Sequence, residues 1–352
     1  MMITSCYAGI LPFVRAHVPA ALTTPDALSR VQELLSFLPD AFSSYYLECR
    51  LSADSDQVDL MGCVRGTDGG RERLAQHLKS REAKPQLAAW GSVARLCESW
   101  STPGSLLYRL LPHIWLAFDL DDRLPSLKSP CVLHCLDQQY FRRPRDAALP
   151  ARLVSFQFDL LFHALFERLL EGPQNVLQER NLRSCQDLLP PAGRLIHLSL
   201  MLGRSPQACK VNISLPKKEL GGYLTRVGWP GSHVELDSVV SRFCLGDEPI
   251  KFQLTVGESI APLFELELHF DNSAQWQPRY HLLLEHIRET GYCAVAKYNA
   301  LREWPGRYAL TLPGQQWPTN WATWTDIKIV LTSNHKPSAK AYLGFMPDVS
   351  LF

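Results

Sequence analysis

The chain repeats one pattern five times: two β-strand signatures in succession, set between stretches of helical periodicity. The predicted pairs are Tyr45–Leu51 with Val58–Arg65, His113–Leu120 with Cys131–Leu136, and Leu195–Leu202 with Ala208–Leu215. Lys251–Val256 with Leu263–Phe270, and Asp326–Leu331 with Ala339–Met346, complete the set. A two-strand unit returning at roughly 55–80 residues marks an internal repeat, which restricts the fold more than any overall composition does. The units fall near 26–80, 85–172, 174–228, 235–291 and 295–346, so 1–352 reads as a single domain.

Each strand alternates with a period of two. Tyr45, Leu47, Cys49 and Leu51 oppose Tyr46, Glu48 and Arg50; Phe264, Leu266, Leu268 and Phe270 oppose Glu265, Glu267 and His269. An antiparallel sheet of ten strands left open would expose two edges, and closure removes them. A barrel that wide cannot fill its interior with side chains and encloses a cavity. The intervening helices need an apolar surface to pack on, so the apolar strand faces point outward and the polar faces line the lumen. The expected class is α+β: a ten-stranded antiparallel β-barrel with a polar lumen, surrounded by helices. An open sheet with helices on one side and water on the other accounts for the same alternation.

Composition fits a large core: 46% of the 352 residues are hydrophobic and the formal net charge is +1, with no block of five like charges. That balance speaks against nucleic acid as a partner. The apolar N-terminus, Met1–Leu11, lacks the basic n-region of a signal peptide, and no apolar run reaches membrane-spanning length, so no membrane partner is expected. Ten scattered cysteines with no CxxC pair and no zinc-ligand spacing point to a reducing cytoplasm and to no metal. Within the pattern, Thr24 is a candidate N-cap for a helix opening at Pro25, and Pro216 opens another. Ala151–Glu171 reads as a long helix apolar nearly all round, and Gly291 as the residue that ends the helix over Pro278–Thr290.

Five helix–strand–strand–helix units closing a ten-stranded barrel inside a ring of helices is the architecture of the ABBA prenyltransferases. The chain resembles that superfamily over roughly residues 26–346. The resemblance implies transfer of an isoprenoid from its diphosphate to an aromatic small molecule or a peptide side chain inside the barrel. The sequence Lys340-Ala341-Tyr342 is similar to the basic-x-tyrosine pairs of that family, which implies that the cation binds diphosphate and the tyrosine shields the carbocation. Glu48 stands in a place similar to the glutamate with which indole-type members take the aromatic proton, which implies a catalytic role. Other strands depart from the pair: Lys210 is followed by Val211-Asn212, Lys328 by Ile329-Val330, and Glu265-Leu266-Glu267 falls where another pair is expected.

A diphosphate needs several converging cations, because burial of its charge alone is prohibitive. The predicted lumen offers Arg50, Arg65, Lys210, Lys251, Lys328 and Lys340, of which Lys210, Lys328 and Lys340 are the leading candidates. Tyr46, Tyr342 and Trp115 share the inward faces and have the ring chemistry that stabilises a carbocation. The plainer reading is a charge ladder in which the lysines pair with Asp326, Glu265 and Glu267, and Arg50 pairs with Glu48. The triplet Glu265, Glu267 and His269 is suited to a cationic or amine substrate. Asp119-Leu120-Asp121-Asp122 is not a DDxxD motif, so magnesium-bridged chemistry has no support and no cofactor is expected. The segment with Trp317, Trp321 and Trp324 reads as a loop, either a lid on the barrel mouth or plain packing.

Two rival functions stand beside the transferase. One is a barrel enzyme without diphosphate chemistry that acts on a peptide or amine through Glu265, Glu267 and His269. The other is a non-catalytic barrel that binds a peptide or hydrophobic ligand. A lumen of positive potential favours the transferase, and a mixed or negative one favours the rivals.

Overall fold

The computed structural model describes residues 6–80, 90–120, 130–135, 175–204, 208–244, 246–271, 277–304, 306–312, 315–333 and 335–348. The predicted helix over Ala151–Glu171 lies outside them. Eleven strands form one sheet: β1 (Phe42–Arg50), β2 (Val58–Arg65), β3 (His113–Phe118), β4 (Cys131–Cys135), β5 (Arg194–Leu200), β6 (Cys209–Leu215), β7 (Ile250–Val256), β8 (Ile260–Phe270), β9 (Arg307–Leu310), β10 (Thr319–Thr332) and β11 (His335–Pro347). Ten of them run as an antiparallel meander from β1 to β8, then β10 and β11, and β11 pairs back onto β1. The sheet is therefore a closed ten-stranded barrel, and the open-sheet alternative is excluded.

The outward faces carry the core. On β1, Tyr45, Leu47 and Cys49 are buried beneath the helices, while Tyr46, Glu48 and Arg50 are half-buried in the lumen. The helical shell begins with α1 (Cys6–His17) and α2 (Pro25–Phe37). It continues with α3 (Gly70–Lys79), α4 (Gly91–Ser101) and α5 (Leu106–Leu110), then α6 (Val176–Asp187), α7 (Leu220–Val227) and α8 (His233–Phe243). The last two described helices are α9 (Gln277–Glu289) and α10 (Val295–Arg302). Trp90, Trp100, Trp304 and Trp321 are fully buried in this shell, and each such burial contributes on the order of 2–3 kcal/mol. Two of the buried polar handles find backbone partners: Trp100 Nε1 donates to Leu111 O at 2.7 Å, and Tyr223 Oη to Cys185 O at 2.8 Å.

Local signals act where the sequence places them. Thr24 caps α2, its Oγ1 accepting the Ala27 N–H at 3.3 Å. Pro216 precedes a 3₁₀ turn (Lys217–Glu219) that runs into α7, and Gly291 takes φ 72° just beyond α9. Two elements depart from expectation. Residues 6–17 form α1 despite Pro12, because Phe13 stacks on Trp321 at 4.4 Å and on Phe345 at 5.2 Å. Only Trp317 of the tryptophan-rich segment lies in a loop: β10 begins at Thr319, carries Trp321 and Trp324, and pairs with β9. No helix among the described residues is long and apolar enough to cross a membrane.

Candidate active site

Alternate residues of the barrel strands point inward, and strand register stacks them in rows. One row runs Asp59, Glu48, Tyr342, Asp326, His269 across β2, β1, β11, β10 and β8. The next runs Arg50, Lys340, Lys328, Glu267, Lys251. A third runs His197, Asn212, Gln253, Glu265. The second row sets three cations side by side, which is repulsive unless acids in the flanking rows answer it. They do.

Glu48 Oε1 accepts from Arg50 at 2.5 Å and from Lys340 at 3.0 Å, and the same guanidinium reaches Asp59 at 2.8 Å. Burial alone would raise the Glu48 pKa, but Lys340, Arg50 and Lys328 outweigh it and hold the carboxyl well below the usual range. Burial and the neighbouring Glu48 charge push Asp59 the other way, upward. Asp59 is nevertheless fully engaged: its oxygens also accept Gln57 Nε2 and the Leu120 N–H at 2.8 Å.

The acidic strand β8 is paired, not open. Lys210 donates to Glu265 at 2.6 Å, and Asn212 donates to Glu267 at 2.8 Å. Gln253 links the two: its Nε2 donates to Asn212 at 2.7 Å, and its Oε1 accepts from Lys328 at 3.3 Å and from Lys210 at 3.4 Å. Glu265 is almost fully buried. Burial works to raise its pKa, and Lys210, Lys328 and Lys340 overcome this to bring it to about 2. Burial pulls Lys210 down despite its carboxylate. Breaking a buried pair of this kind by removing one partner costs roughly 3–5 kcal/mol. Lys328 differs: its Nζ lies 4.8 Å from the centre of the Tyr342 ring, and its charge is answered at longer range by Glu267, Glu265, Glu48 and Asp326. These acids overcome the burial that would lower its pKa and hold it above the ordinary value.

The aromatic residues gather as the alternation predicts. Tyr46 meets Trp115 at 5.3 Å, Tyr342 edge-on at 6.2 Å, and Trp324 edge-on at 5.4 Å, all within favourable ring separations. Trp324 is the member that sequence reasoning missed. Trp321 and Trp324 lie three apart on one strand, so they face opposite ways, Trp321 into the shell and Trp324 toward Tyr46. Trp317 is 79% exposed.

His269 leaves its two strand neighbours and turns to Asp326, its Nδ1 2.5 Å from Asp326 Oδ1. Burial lowers its pKa, yet the Asp326 carboxylate outweighs that and raises it. A bulge between Leu195 and His197 on β5 re-aims His197 into the lumen, where burial and then His113, Lys251 and Lys328 depress it to about 3. It is therefore a neutral imidazole at any ordinary pH.

These side chains enclose a cavity of about 260 Å³. Of the predicted residues, Tyr46, Glu48, Trp115, Lys210, Lys251, Glu267, His269, Lys328 and Tyr342 line it; Arg50, Lys340 and Glu265 contact that lining. Arg65 lies exposed at the end of β2, opposite the lining residue His113, and does not itself line the cavity. Asp59, Asn212, Gln253 and Asp326 also line the cavity, and alternation alone places each on a polar face. Arg204 and Asp119 form a two-pronged pair at 2.7 and 2.8 Å on its margin, and Arg204, beyond the end of β5, carried no strand signal. The potential is mixed: Glu48, Asp59, Asp119, Glu267 and Asp326 stand against Arg204, Lys210, Lys251 and Lys328. No group of three or more metal-ligating side chains occurs among the described residues.

No family model and no curated protein matches the chain. Solved structures do. AnaPT from Neosartorya fischeri matches with a TM-score of 0.55 and 14% identity over 97% of this chain and 91% of its own. The prenyltransferase PriB gives 0.49 and 14% over 98% and 94%. The 5-dimethylallyltryptophan synthase from Streptomyces coelicolor gives 0.47 and 13% over 99% and 97%. PriB has also been solved with product diphosphate, and the synthase with DMASPP and Trp. At such identity the likeness is one of fold, and the AnaPT match carries it. The closed meander of ten strands, polar within and helix-covered without, is the barrel fold the chain shares with AnaPT.

Proposed function

We propose that the lumen transfers an isoprenoid from its diphosphate to an aromatic or peptide acceptor. The observation that carries this reading is the position of Lys328, an ammonium seated on the Tyr342 ring at the edge of the Tyr46, Trp115 and Trp324 cluster. An allylic diphosphate needs that juxtaposition: a cation at the leaving oxygen and aromatic faces beside the carbon that becomes positive. Each such face contributes about 0.5–2 kcal/mol to a cation it covers. Lys210 and Lys340 are the further diphosphate ligands, released from Glu265 and Glu48 when a trianion enters, with Arg50 completing the basic side. Tyr46, Tyr342 and Trp115 shield the carbocation. Glu48 is the carboxylate that the resemblance assigns to the proton; with Arg50 and Lys340 both on Oε1 it also anchors the donor-binding cations.

The test is calorimetric titration of the protein with dimethylallyl, geranyl and farnesyl diphosphates, repeated with Lys328→Met. Micromolar binding to one donor, weakened at least tenfold in the variant, is the expected result. Absence of binding to all three removes the transferase. The mixed lining favours a second reading in that event, an enzyme acting on a peptide or amine through Glu267 and His269 without a diphosphate donor.

A further inference from the structure

The lumen contains a second acid–base centre, set apart from Glu48 and built from three strands. Asp326 on β10 meets His269 Nδ1 from β8 and lies close to the Tyr46 phenol of β1. Its side chain is 10% exposed, whereas that of His269 is 43% exposed. A carboxylate on Nδ1 fixes the tautomer and ring orientation and leaves Nε2 unprotonated for a reacting group. All three side chains line the same cavity. We infer that His269, oriented by Asp326, accepts the proton that the acceptor loses during transfer. The inference rests on the prenyl-transfer reading.

The other candidates are committed elsewhere. Glu48 keeps Arg50 even when Lys340 turns to a donor, Glu265 does not line the cavity, and Glu267 holds Asn212. Asp59 accepts from Arg50, Gln57 and a backbone N–H. His197 is neutral but a poor base, its pKa driven to about 3 by burial and nearby positive charge. His269 is half-exposed, so it can also pass its proton to water after each turnover.

The groups facing His269 set its basicity from every side. Burial and Lys251 on β7 oppose protonation, while Asp326 on β10 and Glu267 on its own strand favour it, with Asp326 dominant. Tyr46 keeps its proton at neutral pH because burial and the Asp326 charge raise its pKa well above the ordinary value. It therefore stands beside Asp326 as a neutral phenol, not as a second negative charge. Tyr46 is also the ring at the centre of the aromatic cluster. The base thus stands one carboxylate away from the face assigned to the carbocation.

The step balances. The allylic C–O bond breaks and its electron pair leaves on the diphosphate. An electron pair of the acceptor forms the new bond to the allylic carbon, and the proton displaced from that acceptor atom goes to Nε2. The imidazolium so formed faces Asp326, which stays ionised, and the proton then passes to water.

The test uses the full chain with ¹³C-labelled histidine, dimethylallyl diphosphate, and N-acetylated tyrosine, tryptophan and histidine amides as acceptors. The His269 resonance, identified by its loss in His269→Asn, is expected to titrate above 6.5 and to fall when Asp326→Asn removes the carboxylate. kcat/KM should rise with pH to a plateau at the same value. It should drop about 10²–10⁴-fold in His269→Asn. Dimethylallyl diphosphate should bind this variant as it binds wild type, which separates proton acceptance from donor binding. A resonance that Asp326→Asn leaves in place overturns the assignment, as does a pH profile that His269→Asn leaves unchanged. If wild type binds no donor, the prenyl-transfer reading fails, and with it the base role; a titration that still shifts in Asp326→Asn would then establish the dyad alone.

Discussion

A missing carbon at Gly344 shapes the aromatic cluster. A Cβ there would lie 2.1 Å from Trp324 Nε1, so the indole can lie across β11 toward Tyr46 only over glycine. Gly344→Ala should expel the ring, with a destabilisation of about 1–3 kcal/mol from overpacking. A red-shifted tryptophan emission and a loss of donor affinity, measured together, check it. The neighbouring residues show what the sequence discloses at this scale. Period-two alternation was enough to place Tyr46, Glu48, Lys210, Lys328 and Tyr342 on inward faces. It also offered Arg50 for Glu48 and a lysine for Glu265, but it could not say which lysine, because Lys210 meets Glu265 across 55 residues and Lys340 meets Glu48 across 292. The triplet Glu265, Glu267 and His269 reads as a unit in sequence, yet each member turns to a different partner.

At the scale of elements, the β1–β2 hairpin is fastened from outside. Lys297 on α10 is buried, and its Nζ donates to the carbonyls of Arg50 and Ser52, each at 2.9 Å, and to that of Ser55. The Ala294 N–H reaches Leu51 O at 2.8 Å beside it. This clamp fixes the strand end that carries Arg50, and so the cation bridging Glu48 and Asp59. Lys297→Met leaves three partly buried carbonyls without this donor and should cost about 1–3 kcal/mol. The midpoint of urea unfolding should fall with its slope unchanged. Nothing local announces such a contact: a lysine in a helix of ordinary periodicity looks like a solvated residue until tertiary packing buries it. The tryptophan-rich segment misleads in the opposite sense, since Pro318 and Asn320 look like turn residues while β9 pairs with Asn320 and its neighbours as an edge strand.

For the molecule as a whole, the seam is formed by the two ends of the fold, β1 against β11. Such non-local pairing makes for slow folding. The lumen's ion pairs make stability depend on acid. The Glu265 carboxyl is held at about 2 against an ordinary 4.5, so its stabilisation is complete above 4.5 and is lost as pH falls through 2. The gain is at most roughly 3 kcal/mol, and the cost of burying Lys210 reduces it. Tm should therefore decline between pH 4.5 and 2, and Glu265→Gln should flatten part of that decline while lowering Tm at neutral pH. The barrel and its polar lumen were legible because five repeats carried the same alternation. The site's pairing was not, because it depends on register and on side chains from opposite walls.

The alternation has a further use. Tyr45, Leu47 and Cys49 hold the barrel to its helices, while Tyr46 and Glu48 on the same strand face the cavity and Arg50 braces Glu48. Two instructions are thus interleaved in one stretch of chain, one for the vessel and one for what it holds. Inward residues exchanged as matched pairs, such as Lys210 with Glu265, leave the outward set untouched. A combinatorial library confined to those positions would search for new substrates without renegotiating the architecture.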